Sequence, residues 1–287
     1  MAVSLEQLVA VELAEPVDPR VTAMATAIAA RHGAASRAVL FYGSCLRQKQ
    51  LDGLMLDFYL IVSDYRAAYD KPWLARANAL IPPNVFPFQH GGLAAKYAVL
   101  SEADFHRLNG PETRNVSVWA RFAQPARLVW ASDHAARDRA VAAVARAAPT
   151  LLGATGRIAG EAPLDWWRRA FALTYSAELR AERKGRSGSV VDADVERYVA
   201  FSGPAAAAID RRFASGDWGR RRLEGKALSV IRLAKASATY AGGAEYIVWK
   251  INRHAGSNFV LKPWQRRHPL LGAISLLPRL LKSGAIR

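Results

Sequence analysis

The sequence has 287 residues, of which 51% are hydrophobic and 22% charged, a globular mixture long enough for one large domain or two modest ones. This composition excludes a disordered chain, a disulfide-stapled miniprotein and a coiled coil. The formal net charge is +16, and residues 201–287 hold 16 basic and 4 acidic side chains. Because most of the excess charge lies in the last third, that third is expected to meet a polyanion, either nucleic acid or an anionic membrane surface.

The N-terminal residues 1–15 lack a basic segment and contain Glu6 and Glu12, a pattern that does not fit a secretory signal. No uncharged apolar run reaches the ~18–20 residues that a membrane-spanning helix needs. The single cysteine, Cys45, excludes an internal disulfide and a thiolate metal site, which fits a reducing compartment. We therefore expect a cytoplasmic protein that is peripheral on the inner face of the cytoplasmic membrane.

Apolar spacing, together with glycine and proline positions, predicts the N-terminal elements in chain order. Helices are predicted at residues 20–33 and 72–80, the second opened by Pro72 and ended by Pro82 and Pro83. Buried strands are predicted at residues 37–42, 54–63, 92–100 and 127–131.

From residue 133 onward the apolar spacing becomes helical, with segments at 133–150, 163–184, 192–214 and 218–240. The fold class is therefore expected to be α+β, with a mostly helical C-terminal part after a boundary near residues 153–163. We divide the chain into a domain over 1–150, a helical domain over 151–225 and a basic amphipathic region over 226–287.

Gly43 and Ser44 follow one predicted strand, and Asp57 interrupts the next. A glycine lets the backbone approach a phosphate, a serine adds a hydroxyl donor, and a strand carboxylate can hold a Mg²⁺ ion that bridges phosphates. This is the layout of the polymerase-beta-like nucleotidyltransferase fold. For this pair alone, a plain turn beside a satisfied buried aspartate is an equally good interpretation.

Many nucleotidyltransferases carry a second carboxylate two positions along the same strand, where it points to the same face. Here that position holds Tyr59, which cannot replace a carboxylate on a hard cation. Either another carboxylate comes from elsewhere in the chain, or fewer protein ligands suffice.

Five short motifs follow one another at residues 42–45 (Tyr-Gly-Ser-Cys), 55–58 (Met-Leu-Asp-Phe), 96–99 (Lys-Tyr-Ala-Val), 118–126 and 173–181. In their order and character they resemble the mitochondrial translocator-assembly-and-maintenance family of CDP-diacylglycerol synthases, which also lacks that second carboxylate. Cys45, Ala98 and Ala177 stand where the family has glycine, and Glu178 stands where it has aspartate. The last hundred residues match only in their basic, amphipathic character.

The resemblance implies a phosphatidate cytidylyltransferase, which uses Mg²⁺ to transfer CMP from CTP to phosphatidic acid and releases pyrophosphate. It assigns the nucleotide to Tyr42, Gly43, Ser44, Arg121 and Arg180. Catalytic roles fall to the residues that would hold the metal ion, Asp57 and Glu178, and to Lys96, which would neutralise phosphates.

Plainer interpretations compete at other positions. Tyr175, Glu178 and Glu182 share a helix face and could be a solvated acidic face. Cys45 is expected to be structural, and Trp166 with Trp167 to be core or interface. The histidines have no zinc-type spacing.

Basic and apolar side chains alternate through residues 218–240, 246–253 and 262–282, a pattern typical of helices that lie on an anionic membrane. We expect CTP, phosphatidic acid and that membrane surface as partners, and no stable protein partner. We expect no nucleic acid as a partner. The alternatives are a nucleotidyltransferase-fold protein that acts on or binds RNA through its basic C-terminal third, and a transferase with a soluble acceptor.

Overall fold

The structure, a computed structural model, describes residues 3–48, 51–178, 190–213 and 217–239, together with Val260, Lys262 and Pro263. It is α+β, with one mixed sheet and helices on both of its faces. The strands are β1 (Ser36–Tyr42), β2 (Met55–Val62), β3 (Asn84–His90), β4 (Leu93–Ser101) and β5 (Ala126–Ala131). The helices are α1 (Leu5–Ala14), α2 (Pro19–Arg31), α3 (Ser44–Gln48), α4 (Tyr65–Ala68), α5 (Pro72–Leu80), α6 (Glu102–Asn109), α7 (Trp119–Phe122), α8 (His134–Ala145), α9 (Ala147–Thr155), α10 (Pro163–Ala177), α11 (Val195–Ala207) and α12 (Trp218–Thr239).

The sheet has the strand order β3-β4-β2-β1-β5. Strands β2 and β4 run parallel, and the other neighbours pair antiparallel. Since side chains alternate across a strand, β2 presents Tyr59 and Ile61 to one face and Phe58 and Leu60 to the other. Both faces are buried, which explains why the central strands are apolar runs.

The two faces are covered by different helices. Helix α2 covers the face that carries Phe58 and Leu60, through Met24 and Ile28, and its N-terminus is capped by the Asp18 side chain ahead of Pro19. The opposite face packs against a layer that contains α1 and α7 to α11, with Trp167 and Tyr198 wholly buried in it. The core expectation for Trp166 and Trp167 is therefore confirmed.

The sequence predicted four strands close to their observed bounds and helical segments that cover α2, α5 and α8 to α12, but it missed the helices α1, α3, α4, α6 and α7 and the strand β3. This strand contains Pro87, which cannot donate a ladder hydrogen bond. Strand β3 lies at the sheet edge, where one side needs no partner, so the proline is tolerated.

The predicted helix at 133–150 is divided into α8 and α9. The helix predicted at 163–184 ends at Ala177, and Glu178 is extended and buried, so its interpretation as part of a solvated helix face is wrong. One buried cluster contains residues on both sides of position 150, such as Val144 and Trp167. The division into 1–150, 151–225 and 226–287 stays a prediction.

The predicted basic segment at 246–253, and nearly all of the one at 262–282, lie outside the described residues. No helix in the described part of the chain is both long and apolar enough to span a bilayer.

A buried ion pair joins the N-terminus to the helical layer. Arg197 on α11 contacts the Glu12 carboxylate on α1 through Nε, and through Nη2 at 3.2 Å. Arg197 also donates through Nη1 to the Ala123 carbonyl at 3.0 Å. The two charged side chains are 7% and 8% exposed, so each depends on the other for compensation.

Glu12→Gln is expected to lower the free energy of unfolding by about 3 kcal/mol, because it leaves the Arg197 charge buried without its counter-ion. Urea denaturation measures the loss. The exposed Glu6→Gln on the same helix is the control and should change stability by less than about 0.5 kcal/mol. Equal effects of the two variants would contradict this account of the pair.

Candidate functional site

Asp57 and Lys96 form an ion pair at one end of the central strands. Their register makes them direct neighbours on β2 and β4, and Lys96 Nζ lies 2.9 Å from Asp57 Oδ1. The two side chains are 29% and 19% exposed, for Lys96 and Asp57 respectively, so the pair is accessible from solvent. Tyr42, at the end of β1, is the neighbour of Asp57 on its other side. The three side chains therefore share one face of the sheet.

Gly43 lies directly against the Asp57 carboxylate. Its φ of +95° is in the region that favours glycine, and a Cβ built there would lie 2.9 Å from Asp57 Oδ2. The predicted glycine turn and the predicted strand carboxylate are thus adjacent. Ser44 follows as the first residue of α3.

Cys45, the next residue, is buried, and its thiol donates to the Met55 carbonyl at 3.5 Å. Burial raises the pKa of this thiol, which disfavours the nucleophilic thiolate. These observations agree with the structural role predicted for Cys45.

Aromatic side chains separate the ion pair from the helical layer. Tyr59 occupies the place of the second carboxylate, and its ring centroid lies 5.3 Å from that of Tyr42 and 5.2 Å from that of Phe122 on α7. Burial raises the pKa of both tyrosines, and the Asp57 charge acts in the same direction. Both therefore stay neutral, and Tyr59 offers no charged oxygen to a cation.

Arg121 and Glu178 meet behind this aromatic group. Arg121 Nη1 lies 3.4 Å from Glu178 Oε1 and also donates to the Ser117 carbonyl. Burial acts to lower the pKa of Arg121, but the charges of Glu178 and Asp57 and the two tyrosines raise it above its usual value. Arg121 is therefore a permanent cation whose field reaches Asp57.

Helix α12 adds two cations that the sequence did not single out. Arg232 donates through Nε to the Pro82 carbonyl at 2.9 Å and through Nη1 to Ser117 Oγ at 2.8 Å. Lys235 Nζ donates to the Pro83 carbonyl at 2.9 Å and to the Ile81 carbonyl. Burial lowers the pKa of Arg232, and burial together with the Arg232 charge lowers the pKa of Lys235 to about 7.

Arg232 and Lys235 lie three positions apart and therefore share one helix face. That spacing is the only local feature of the sequence that could have pointed to a joint role for them. Nothing in the sequence distinguishes them from the other basic residues of α12.

The residues present suit Mg²⁺ through one protein ligand. Among the described residues, no group of three or more His, Cys, Asp or Glu side chains comes together. Mg²⁺ usually keeps several waters and takes one or two carboxylates together with substrate phosphates, so the solvent-accessible Asp57 fits it. Glu178, the other predicted ligand, is paired with Arg121.

The fold thus brings most of the predicted site residues to one end of the sheet and the helix layer above it. They are Tyr42, Gly43, Ser44, Asp57, Lys96, Arg121 and Glu178. The remaining predicted residue, Arg180, lies outside the described residues.

No family model matches this sequence, and no curated protein compared with it matches either. Function therefore has to be inferred from the side chains that the fold brings together and from the order of the motifs along the chain.

Gly43→Ala is expected to lower the free energy of unfolding by about 2–3 kcal/mol, because it adds both a disfavoured φ and an overlap with Asp57. Gly91→Ala is the matched control, since its φ is +56° and a Cβ there meets no atom within 4 Å among the residues described. It should lose only about 1 kcal/mol. In an Asp57→Ala background, the loss caused by Gly43→Ala should shrink toward that of the control. Equal losses at both glycines would contradict the proposed close approach.

Proposed function

We propose that this chain is a nucleotidyltransferase of the phosphatidate cytidylyltransferase type. It would transfer CMP from CTP to phosphatidic acid, forming CDP-diacylglycerol and pyrophosphate with the help of Mg²⁺. The observation that carries the proposal is the contact between the Asp57–Lys96 pair and the Gly43 turn. The order of the motifs along the chain supports the same function.

The Gly43 turn would supply donors for a phosphate. The absence of a Cβ lets the backbone of Gly43 pack against Asp57 Oδ2, and the Ser44 hydroxyl follows as a hydrogen-bond donor. A triphosphate seated here would have its oxygens beside the Asp57 carboxylate. Asp57 would hold Mg²⁺, and the ion supplies charge neutralisation on the phosphate oxygens when it is bound.

Lys96 and Arg121 would provide the positive charge that phosphoryl transfer needs. Lys96 fixes the Asp57 carboxylate from the neighbouring strand, and Arg121 remains charged behind the tyrosines. The contact between Glu178 and Arg121 favours a positioning role for Glu178 over that of a metal ligand.

The chemistry requires positioning more than proton transfer. An ionised phosphate oxygen of phosphatidate attacks the α-phosphorus of CTP, and the bond from that phosphorus to the oxygen bridging to the β-phosphate breaks. Pyrophosphate leaves with the electron pair. Because the attacking oxygen is already ionised near neutral pH, a general base contributes little, and fixed cations carry the catalysis.

Helix α12 supports a membrane-surface location. Leu223 and Ile231 are 73% and 44% exposed, and Arg222 and Lys226 are exposed beside them. Apolar and basic side chains together on an exposed helix suit an anionic lipid interface. We propose that the protein is peripheral on the inner face of the cytoplasmic membrane, where its lipid substrate lies.

The direct test incubates the full chain with labelled CTP, Mg²⁺ and phosphatidate in mixed micelles and measures labelled CDP-diacylglycerol. Asp57→Ala is expected to lower kcat/KM at least about 10³-fold, because it removes the carboxylate that would hold the metal ion. The circular dichroism spectrum should be unchanged.

Asp52→Ala is the control, since Asp52 is 77% exposed and pairs only with Arg20 among the described residues. It should retain wild-type turnover. Asp57→Ala protein that still turned over at the wild-type rate would refute the assignment of this site.

The membrane proposal predicts that replacing both Leu223 and Ile231 by Glu weakens binding to phosphatidylglycerol vesicles at least about tenfold, since two apolar side chains leave the interface. Vesicle flotation measures the bound fraction. Val199→Glu is the control, because Val199 is a similarly exposed apolar residue on α11. A chain that ignored these vesicles but bound RNA with a steep salt dependence would favour the nucleic-acid alternative.

A further inference from the structure

Helix α12 is held against the site by contacts that allow little freedom. Gly225 lies so close to the end of α10 that an added Cβ would overlap the Ala177 carbonyl. Arg221 is buried and donates through Nη1 to the carbonyls of Thr113 and Arg114 at 3.2 and 3.0 Å. The helix therefore carries Arg232 and Lys235 to fixed positions next to Ser117 and residues 81–83.

The contacts of these two cations leave donors for a ligand. A guanidinium has five N–H donors, and in the described structure Arg232 uses Nε for Pro82 and Nη1 for Ser117. An ammonium has three donors, and Lys235 gives two of them to Ile81 and Pro83 in that same part of the chain. The carbonyls fix the cations without neutralising their charge.

Positive charge exceeds negative charge around this point. Ser117 connects the cations of α12 to Arg121 on α7, because its hydroxyl accepts from Arg232 and its carbonyl accepts from Arg121. Within the described residues, the group around Ser117 contains the permanent cations Arg121 and Arg232 and the partly protonated Lys235, whose pKa is about 7, against one carboxylate, Glu178.

Partly buried cations in excess are unfavourable until an anion joins them. The lowered pKa values of Arg232 and Lys235 reflect that situation.

We propose that Arg232 and Lys235 form a subsite for the polyphosphate of the nucleotide, contacting the phosphates that leave as pyrophosphate. The assignment to CTP rests on the proposed function, whereas the binding of a polyphosphate does not. Cations there would stabilise the charge that develops on the leaving group and would raise affinity for the triphosphate.

The first test needs no substitution. Lysines of the full-length wild type are trace-labelled with acetic anhydride, with and without saturating inorganic tripolyphosphate and Mg²⁺, and each site is quantified by mass spectrometry. We expect labelling of Lys235 to fall about fivefold or more, while the exposed Lys71 is unchanged. Unprotected Lys235, whether or not tripolyphosphate binds elsewhere, would overturn the subsite.

The second test uses variants and titration calorimetry with tripolyphosphate. Arg232→Met and Lys235→Met should each raise Kd about tenfold or more, since each removes a charge-assisted hydrogen bond. Arg232→Lys keeps the charge and should lose less. Arg220→Met, on the same helix but paired with Glu224 at the surface, should stay within about twofold of wild type. Unchanged affinity in both Met variants would overturn the subsite, and the labelling result decides if neither variant folds.

A third comparison tests whether the subsite binds the phosphates of the nucleotide or the phosphate of the lipid head group. Glycerol 3-phosphate represents the phosphatidate head group, and its affinity should not respond to Arg232→Met. A response to glycerol 3-phosphate but not to tripolyphosphate would overturn the assignment to the nucleotide. Failure of the proposed function gives a different result: no CDP-diacylglycerol would form, while tripolyphosphate would still protect Lys235.

Discussion

The site depends on one requirement, that a carboxylate inside an apolar sheet must meet positive charge. Asp57 satisfies it through Lys96, which lies directly opposite on the parallel neighbour β4 at 2.9 Å. This pairing needs the register of β2 and β4, and the register in turn depends on the buried residues that alternate along both strands. Gly43 completes the arrangement, since a side chain at its place would occupy the space beside Asp57. A single cross-strand contact thus links the packing of the sheet to the accessible chemistry at its end.

Much of this could be predicted from the sequence. Strands β1, β2, β4 and β5 are apolar runs between turn residues, and Pro72 marks the start of α5, so local patterns were sufficient. Strand β3 was not predicted, because it is an edge strand, and edge strands tolerate proline and need no apolar run. The closeness of Gly43 and Asp57 was expected from the motif, whereas the Lys96–Asp57 contact depends on strand order, which the sequence does not reveal. The role of Glu178 shows the same limit, because its pairing with Arg121 arises from packing between α7 and the end of α10.

The cations of α12 show why the other part of the site, its buried basic residues, could not be predicted from the sequence. Residues 201–287 contain 16 basic side chains, and helical spacing alone cannot separate the buried ones from the solvated ones. Arg220 and Arg232 look alike in sequence, yet one pairs with Glu224 at the surface and the other reaches Pro82 and Ser117. The difference comes from contacts about 115 to 150 positions away along the chain, which fix how α12 is rotated on the fold.

That rotation gives α12 two faces with complementary roles under the proposed function. Leu223 faces solvent and lies nine positions before Arg232, on the opposite side of the helix, while Arg232 and Lys235 contact the body of the protein. If the outer face lies on a membrane, the inner cations are separated from the lipid head groups by about one helix diameter, roughly 10 Å. Under the proposed function, the outer face of α12 would meet the membrane that holds phosphatidate, and its inner cations would meet the phosphates of CTP. One helix would therefore contact both the membrane and the nucleotide.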